Sequence, residues 1–193
     1  MKSIILDLLQ ESIAVKQKAV GEAMETILAG ARRMADCLAA GHKILFFGNG
    51  GSAADAQHLA AEFVNRFQIE RPPLAALALT TDTSILTSIG NDYHFDEVFA
   101  KQVRALGSRD DVAVGISTSG NSANVLAGLQ AARERGLYTI GMTGRGGKLA
   151  DDADLVIRVS SDVTARVQET HIFIGHIWCE LVDRILYPDH FAG

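Results

Sequence analysis

The chain has 193 residues, 48% hydrophobic and 21% charged, which suits one globular domain and excludes disorder and low complexity. A net charge of -5 argues against a general nucleic-acid-binding surface, though it leaves room for a local anion pocket. Cys37 and Cys179 lie far apart with no CxxC pair, so they read as reduced thiols rather than a disulfide framework or zinc ribbon. The start, MKSIILDLLQESI, is interrupted by Asp7, Gln10 and Glu11, and no cleavage site follows. No run approaches the roughly 18 to 20 apolar residues that span a bilayer. The expectation is a soluble cytoplasmic protein.

The first forty residues read as helix. Ile5, Leu8, Leu9, Ile13 and Val15, then Met24, Ile27, Leu28, Ala31, Met34 and Leu38, recur at helical spacing. Gly21 is expected to break this stretch into a helical pair, and Gly41 to stop it, making 1–41 an N-terminal helical extension of a single domain spanning 1–193. Such a pair packs on its own core or on another subunit. From Lys43 short apolar runs alternate with helical stretches: KILFFG, PPLAALAL, DDVAVGIS, LYTIGMT and ADLVIRVS. The runs are apolar on both faces, as in parallel strands covered by helices. The fold class is therefore α/β, a doubly wound parallel sheet of five strands, with ligands at the carboxyl ends of the strands. A last helix runs from about Val163 to Leu186.

Two loops follow strands. The first holds Gly48, Asn49, Gly50, Gly51 and Ser52, where backbone can approach a ligand and Ser52 could cap the next helix. It is neither GxGxxG nor a Walker A loop, and a tight strand-to-helix connection would use the same residues. The second is STSGNS, with Ser117, Thr118, Ser119 and Ser122 directly before a helical pattern. Hydroxyls converging on a helix N-terminus suit a phosphate dianion, although a capping cluster would look alike. Between the loops, Asn91 and Asp92 suit a polyol chain or a turn.

Two spacings suggest a metal or acid–base centre. His58 and Glu62 stand at i and i+4; Gln168 and His176 stand eight apart on the last helix. If the two faces meet, two imidazoles and two side-chain oxygens suit zinc, or less selectively manganese, cobalt or nickel. Each pair alone is also an ordinary surface or part-buried contact. His171 lies between the second pair and reads as structural.

The combined motifs resemble the SIS sugar isomerase family, and within it the phosphoheptose isomerases: GNGGSAADAQHLAAE at 48–62, TSIGND at 87–92, STSGNSANV at 117–125 and TARVQETHIFIGHIW at 164–178. The resemblance covers essentially the whole chain and implies a flavodoxin-like SIS fold. It implies an aldose–ketose isomerase acting on sedoheptulose 7-phosphate in heptose and lipopolysaccharide precursor synthesis. It further implies a homotetramer with one zinc per subunit and active sites near subunit contacts. By the same resemblance Ser117, Thr118, Ser119 and Ser122 hold phosphate, while Asn49, Gly50, Gly51, Ser52, Asn91 and Asp92 line the sugar site. His58, Glu62, Gln168 and His176 hold the metal, Gln168 also facing substrate, with Glu62 the base and His176 the acid. One position departs: some phosphoheptose isomerases carry an acidic residue where this chain has Ala165, so a relay through that acid is absent or falls to Glu169 or Asp92. A non-catalytic branch of the family, tetramers that bind the bacterial replication initiator, resembles the chain at 65–82 and 100–107. The complete set of His58, Glu62, Gln168 and His176 favours the isomerases.

Overall fold

The computed structural model describes residues 1–192. Its first element corrects the expected helical pair. Helix α1 runs unbroken over Lys2–Ala39, straight through Gly21. A lone glycine costs a helix only about 1 kcal/mol relative to alanine. Burial of Ala19, Ala23, Ile27, Ala31 and Met34, on both sides of it, outweighs that cost. The helix stops where Gly41 predicts. Gly41, at φ +80°, donates its N–H to Leu38 O at 3.1 Å and the His42 N–H reaches Cys37 O at 3.0 Å, closing the last turn.

Five strands form one parallel sheet: β1 (Ile44–Gly48), β2 (Ala76–Ala78), β3 (Val112–Ser117), β4 (Tyr138–Thr143) and β5 (Leu155–Arg158), ordered β2-β1-β3-β4-β5. β2 keeps only three residues of its apolar run and lies at an edge; Pro72 and Pro73, just upstream, have no N–H for a ladder. β1 and β3 are buried throughout. Their side chains alternate between two cores. Ile44, Phe46, Val112, Val114 and Ile116 enter one with α1, α2 (Gly51–Val64) and α7 (Thr164–Leu186). Leu45, Phe47 and Ala113 enter the other with α4 (Val98–Leu106) and α5 (Ala123–Glu134). Trp178 of α7 locks the first core: its indole N–H donates to Ile27 O at 3.0 Å, and its ring fills the space beside Gly30.

From β1 the chain crosses to β2 on one side and then to β3 on the other. That reversal opens a crevice at the carboxyl ends of β1 and β3, where doubly wound sheets place ligands. Both loops singled out in the sequence end there. Among the described residues no helix is long and apolar enough to cross a membrane. Cys37 and Cys179 are free and buried as expected, and burial pushes the Cys37 thiol up to about 11.

Candidate active site

The β3–α5 loop brings the three predicted serine hydroxyls together, while Thr118 lines the adjoining cleft. Ser117 Oγ lies 2.8 Å from Ser122 Oγ and 3.4 Å from Ser119 Oγ, and Ser119 Oγ accepts the Asn121 N–H at 3.2 Å. Ser122 occupies the N-cap of α5 but makes no capping bond, so its hydroxyl faces its neighbours instead. Gly120 turns the loop at φ +66°, packed so closely on Gly146 O that no side chain fits. Three contacts bind this loop to the one after β4: the Gly144 N–H donates to Thr118 O at 3.1 Å, the Leu149 N–H to Gly120 O at 3.0 Å, and the Lys148 N–H to Asn121 Oδ1 at 3.1 Å.

The β1–α2 loop joins the same crevice. Asn49 and Asn124 exchange a reciprocal amide pair at 2.8 and 2.9 Å, which ties this loop to the first turn of α5. Gly50 is the N-cap of α2 and Gly51 its first residue. Ser52 does not cap the helix as expected; it sits inside the first turn and is buried. Gln168 of α7 lies over this turn: a Cβ on Gly51 would meet its Nε2 at 2.5 Å, so glycine admits the amide.

Further along, the two helix faces meet. His58 Nε2 stands 2.8 Å from His176 Nε2 and 3.5 Å from Glu62 Oε1. A nitrogen–nitrogen contact this short carries one proton, given by one ring to the other's lone pair. Burial, His58 and, in opposition, Glu62 act on His176, and its pKa is held below the usual imidazole value. The Phe67 ring flanks it at 5.4 Å. Gln168 stands two turns away and makes no hydrogen bond with these three groups among the described residues. Asn91 and Asp92 close α3 (Thr83–Asp92); both are exposed, and Asn91 Nδ2 donates to Asp92 Oδ1 at 2.8 Å.

Imidazole nitrogens and a carboxylate oxygen are the donors zinc takes, at roughly 2.0–2.2 Å. In donor chemistry the cluster fits that ion. Its spacing is that of a hydrogen bond, and among the described residues no three His, Cys, Asp or Glu already stand as a metal cage. The two rings would separate to admit an ion between them.

Residues 8–144 match the SIS domain family. A phosphoheptose isomerase of Nitratidesulfovibrio vulgaris is 57% identical over 192 residues, covering 99% of this chain and 92% of that protein. One from Geobacter sulfurreducens is 59% identical over 173 residues, covering 86% and 92%. The structure of a phosphoheptose isomerase from Neisseria gonorrhoeae superposes with a TM-score of 0.89 at 50% identity, covering 94% of this chain and 98% of that one. The chain belongs to the phosphoheptose isomerases of the SIS-domain family.

For a member of that family, the Ala165 departure has a visible consequence. Glu169 cannot stand in as a free relay, because it accepts from Ser12 Oγ at 2.7 Å and Arg166 Nη2 at 2.8 Å, tying α1 to α7. Asp92 is engaged by Asn91. His171 is structural as expected: it is buried, donates from Nε2 to Thr143 O at 3.1 Å, and burial lowers its pKa to about 4. Sequence reasoning missed two features. Asp55, one turn before His58 on α2, has an unpartnered buried Oδ2, and burial pushes its carboxyl up to about 6 against the pull of His58. Its i, i+3 spacing from His58 was the available signal. Arg71 was the other. Its guanidinium pairs with Asp183 of α7 at 2.6 Å and donates to the carbonyls of Glu62 and Phe63, each at 2.9 Å. It thereby clamps the end of α2 that carries Glu62 onto the helix that carries His176.

Proposed function

We propose that the protein isomerises sedoheptulose 7-phosphate to D-glycero-D-manno-heptose 7-phosphate through an enediolate. The observation that carries this reading is the convergence of Glu62, His58 and His176 from two helices. Moving a carbonyl between adjacent carbons requires removal of a proton from the carbon beside it. Glu62 accepts that proton, and His176 returns one to the neighbouring carbon. Ser117, Thr118, Ser119 and Ser122 bind the phosphate, which orients the sugar without touching the reacting carbons. Asn49, Gly50, Gly51, Ser52, Asn91 and Asp92 line the sugar.

His58, Glu62, Gln168 and His176 are the residues that would hold one zinc per subunit. Zinc bound there supplies positive charge against the negative charge that develops on the substrate oxygens. The protein works as a homotetramer. Support for self-association comes from α1, where Ile5, Leu9, Ile13 and Met24 are exposed and an apolar groove runs between the helix and Phe173. We place the reaction in the cytoplasm; the two unpaired cysteines accord with a reducing compartment.

The test is incubation of the purified protein with sedoheptulose 7-phosphate while aldose formation is followed. Turnover is expected, in a particle whose mass by light scattering is four times that of the chain. No turnover in zinc-loaded protein contradicts the assignment.

A further inference from the structure

The hydroxyl loop after β3 offers a phosphate dianion neutral donors only. A cleft of about 300 Å³ adjoins it, lined by Thr118 and Ser119 of that loop, Arg145 of the loop after β4, and Ser161, Asp162 and Thr164 at the entry to α7. Among the described residues, Arg145 and Asp162 are the only charged ones in its wall. They face each other, Arg145 Nε to Asp162 Oδ1 at 2.7 Å, with side chains 63% and 74% exposed. An ion pair this exposed is weakly held. The base of Arg145, by contrast, is fixed: the preceding residue, Gly144, donates its N–H to Thr118 O. A turn of the side chain therefore moves the guanidinium within one cleft and needs no movement of either loop.

We propose that Arg145 is the counter-charge for the substrate's phosphate, parked on Asp162 until the dianion arrives. The inference rests on the sugar-phosphate reading of this site and deepens it. A planar guanidinium fork matches two phosphate oxygens, whereas the serine hydroxyls each supply a single bond. A dianion outcompetes one exposed carboxylate for that fork, so Asp162 acts as a latch that lowers affinity in the free enzyme. Arg145 thus selects the phosphorylated sugar over its neutral counterpart. If the pair merely pinned the entry to α7, loss of either partner would act in the same direction.

The two partners therefore have opposite signs. In full-length protein, Arg145→Gln is expected to lower kcat/KM about tenfold, with the loss carried by KM. It should weaken binding of inorganic phosphate, measured by calorimetry, by the same factor. Arg145→Lys keeps the charge without the fork and falls between. Asp162→Asn frees the guanidinium and is expected to tighten phosphate binding about threefold. Unchanged phosphate affinity in Arg145→Gln overturns the proposal, as does weaker binding in Asp162→Asn. Absence of turnover in the wild-type protein would instead count against the isomerase reading, and the phosphate titration would still decide the role of Arg145.

Discussion

Replacing Arg71 by Ala tests how the helices that carry Glu62 and His176 are held together. The Arg71 and Asp183 side chains are only 1% and 2% exposed. Besides Asp183, the guanidinium bonds three backbone carbonyls, those of Phe63, Pro72 and Glu62. Among the described residues Asp183 Oδ2 has no partner, so the carboxylate depends on Arg71 alone for an opposing charge at contact distance. Without it the group either stays ionised and buried or takes up a proton. Breaking a buried pair from one side costs about 3–5 kcal/mol. Protonating a carboxyl of ordinary pKa 3.8 at pH 7 costs about 4 kcal/mol, at 1.36 kcal/mol per pH unit. The two routes agree, and loss of the bonds to the Glu62 and Pro72 carbonyls adds to either, while Phe63 O keeps the Leu74 N–H at 3.1 Å. Urea unfolding followed by circular dichroism, at one fixed protein concentration, should show a loss of about 3–5 kcal/mol at pH 7. Burial already pushes the Asp183 carboxyl up, and Arg71 opposes that rise. In the variant the folded state therefore holds this proton more tightly than the unfolded chain, and the deficit shrinks as pH falls toward 4. The double variant Arg71→Met, Asp183→Leu should recover most of the loss, because no buried charge is left unpaired. A deficit below about 1 kcal/mol, or one independent of pH, would refute this account of the clamp.

His171 gives the opposite pH signature. Its folded pKa of about 4 lies below the ordinary 6.5, so the unfolded chain takes the proton first. Its share of stability is intact above pH 6.5 and is lost as pH falls through that window toward 4, by up to about 3 kcal/mol. Urea midpoints at pH 7 and pH 4.5 should therefore differ less in His171→Asn than in the wild-type protein. Gly120→Ala places a methyl group against Gly146 O at a positive φ. It should raise KM more than tenfold and cost about 1–3 kcal/mol, by steady-state kinetics and urea unfolding. Ser119→Ala removes one hydroxyl from an exposed loop residue. It should raise KM with stability changed by less than about 0.5 kcal/mol, and an unchanged KM would place the phosphate elsewhere.

The sheet was legible because parallel strands covered on both faces write themselves as short, continuously apolar runs. All five were visible, and the last helix begins one residue from its expected start. The break at Gly21 misled because a glycine's local cost is small beside the burial of Ala23, Ile27 and Ala31, and that burial depends on tertiary packing. The His58–Glu62 and Gln168–His176 spacings could be read because helical periodicity is local; that the first pair meets His176 is a fact of the fold. The clamp had no such signature. Arg71 and Asp183 are 112 residues apart, and Asn49 and Asn124 are 75 apart. Nothing in either neighbourhood announces its partner. The exposed apolar residues on the first turns of α1 obey the helical period yet find no core within the chain, so period alone did not say what they pack against.

The most direct measurement of the central claim compares Glu62→Gln with the wild-type protein, both zinc-loaded, in the conversion of sedoheptulose 7-phosphate. The substitution removes the carboxylate base, keeps a side-chain oxygen where Glu62 would face zinc, and leaves the serine loop untouched. A fall in kcat of about 10²- to 10⁴-fold is predicted, with inorganic phosphate binding unchanged. A variant that turns over at the wild-type rate would contradict the account, because the proton would then be leaving by another route.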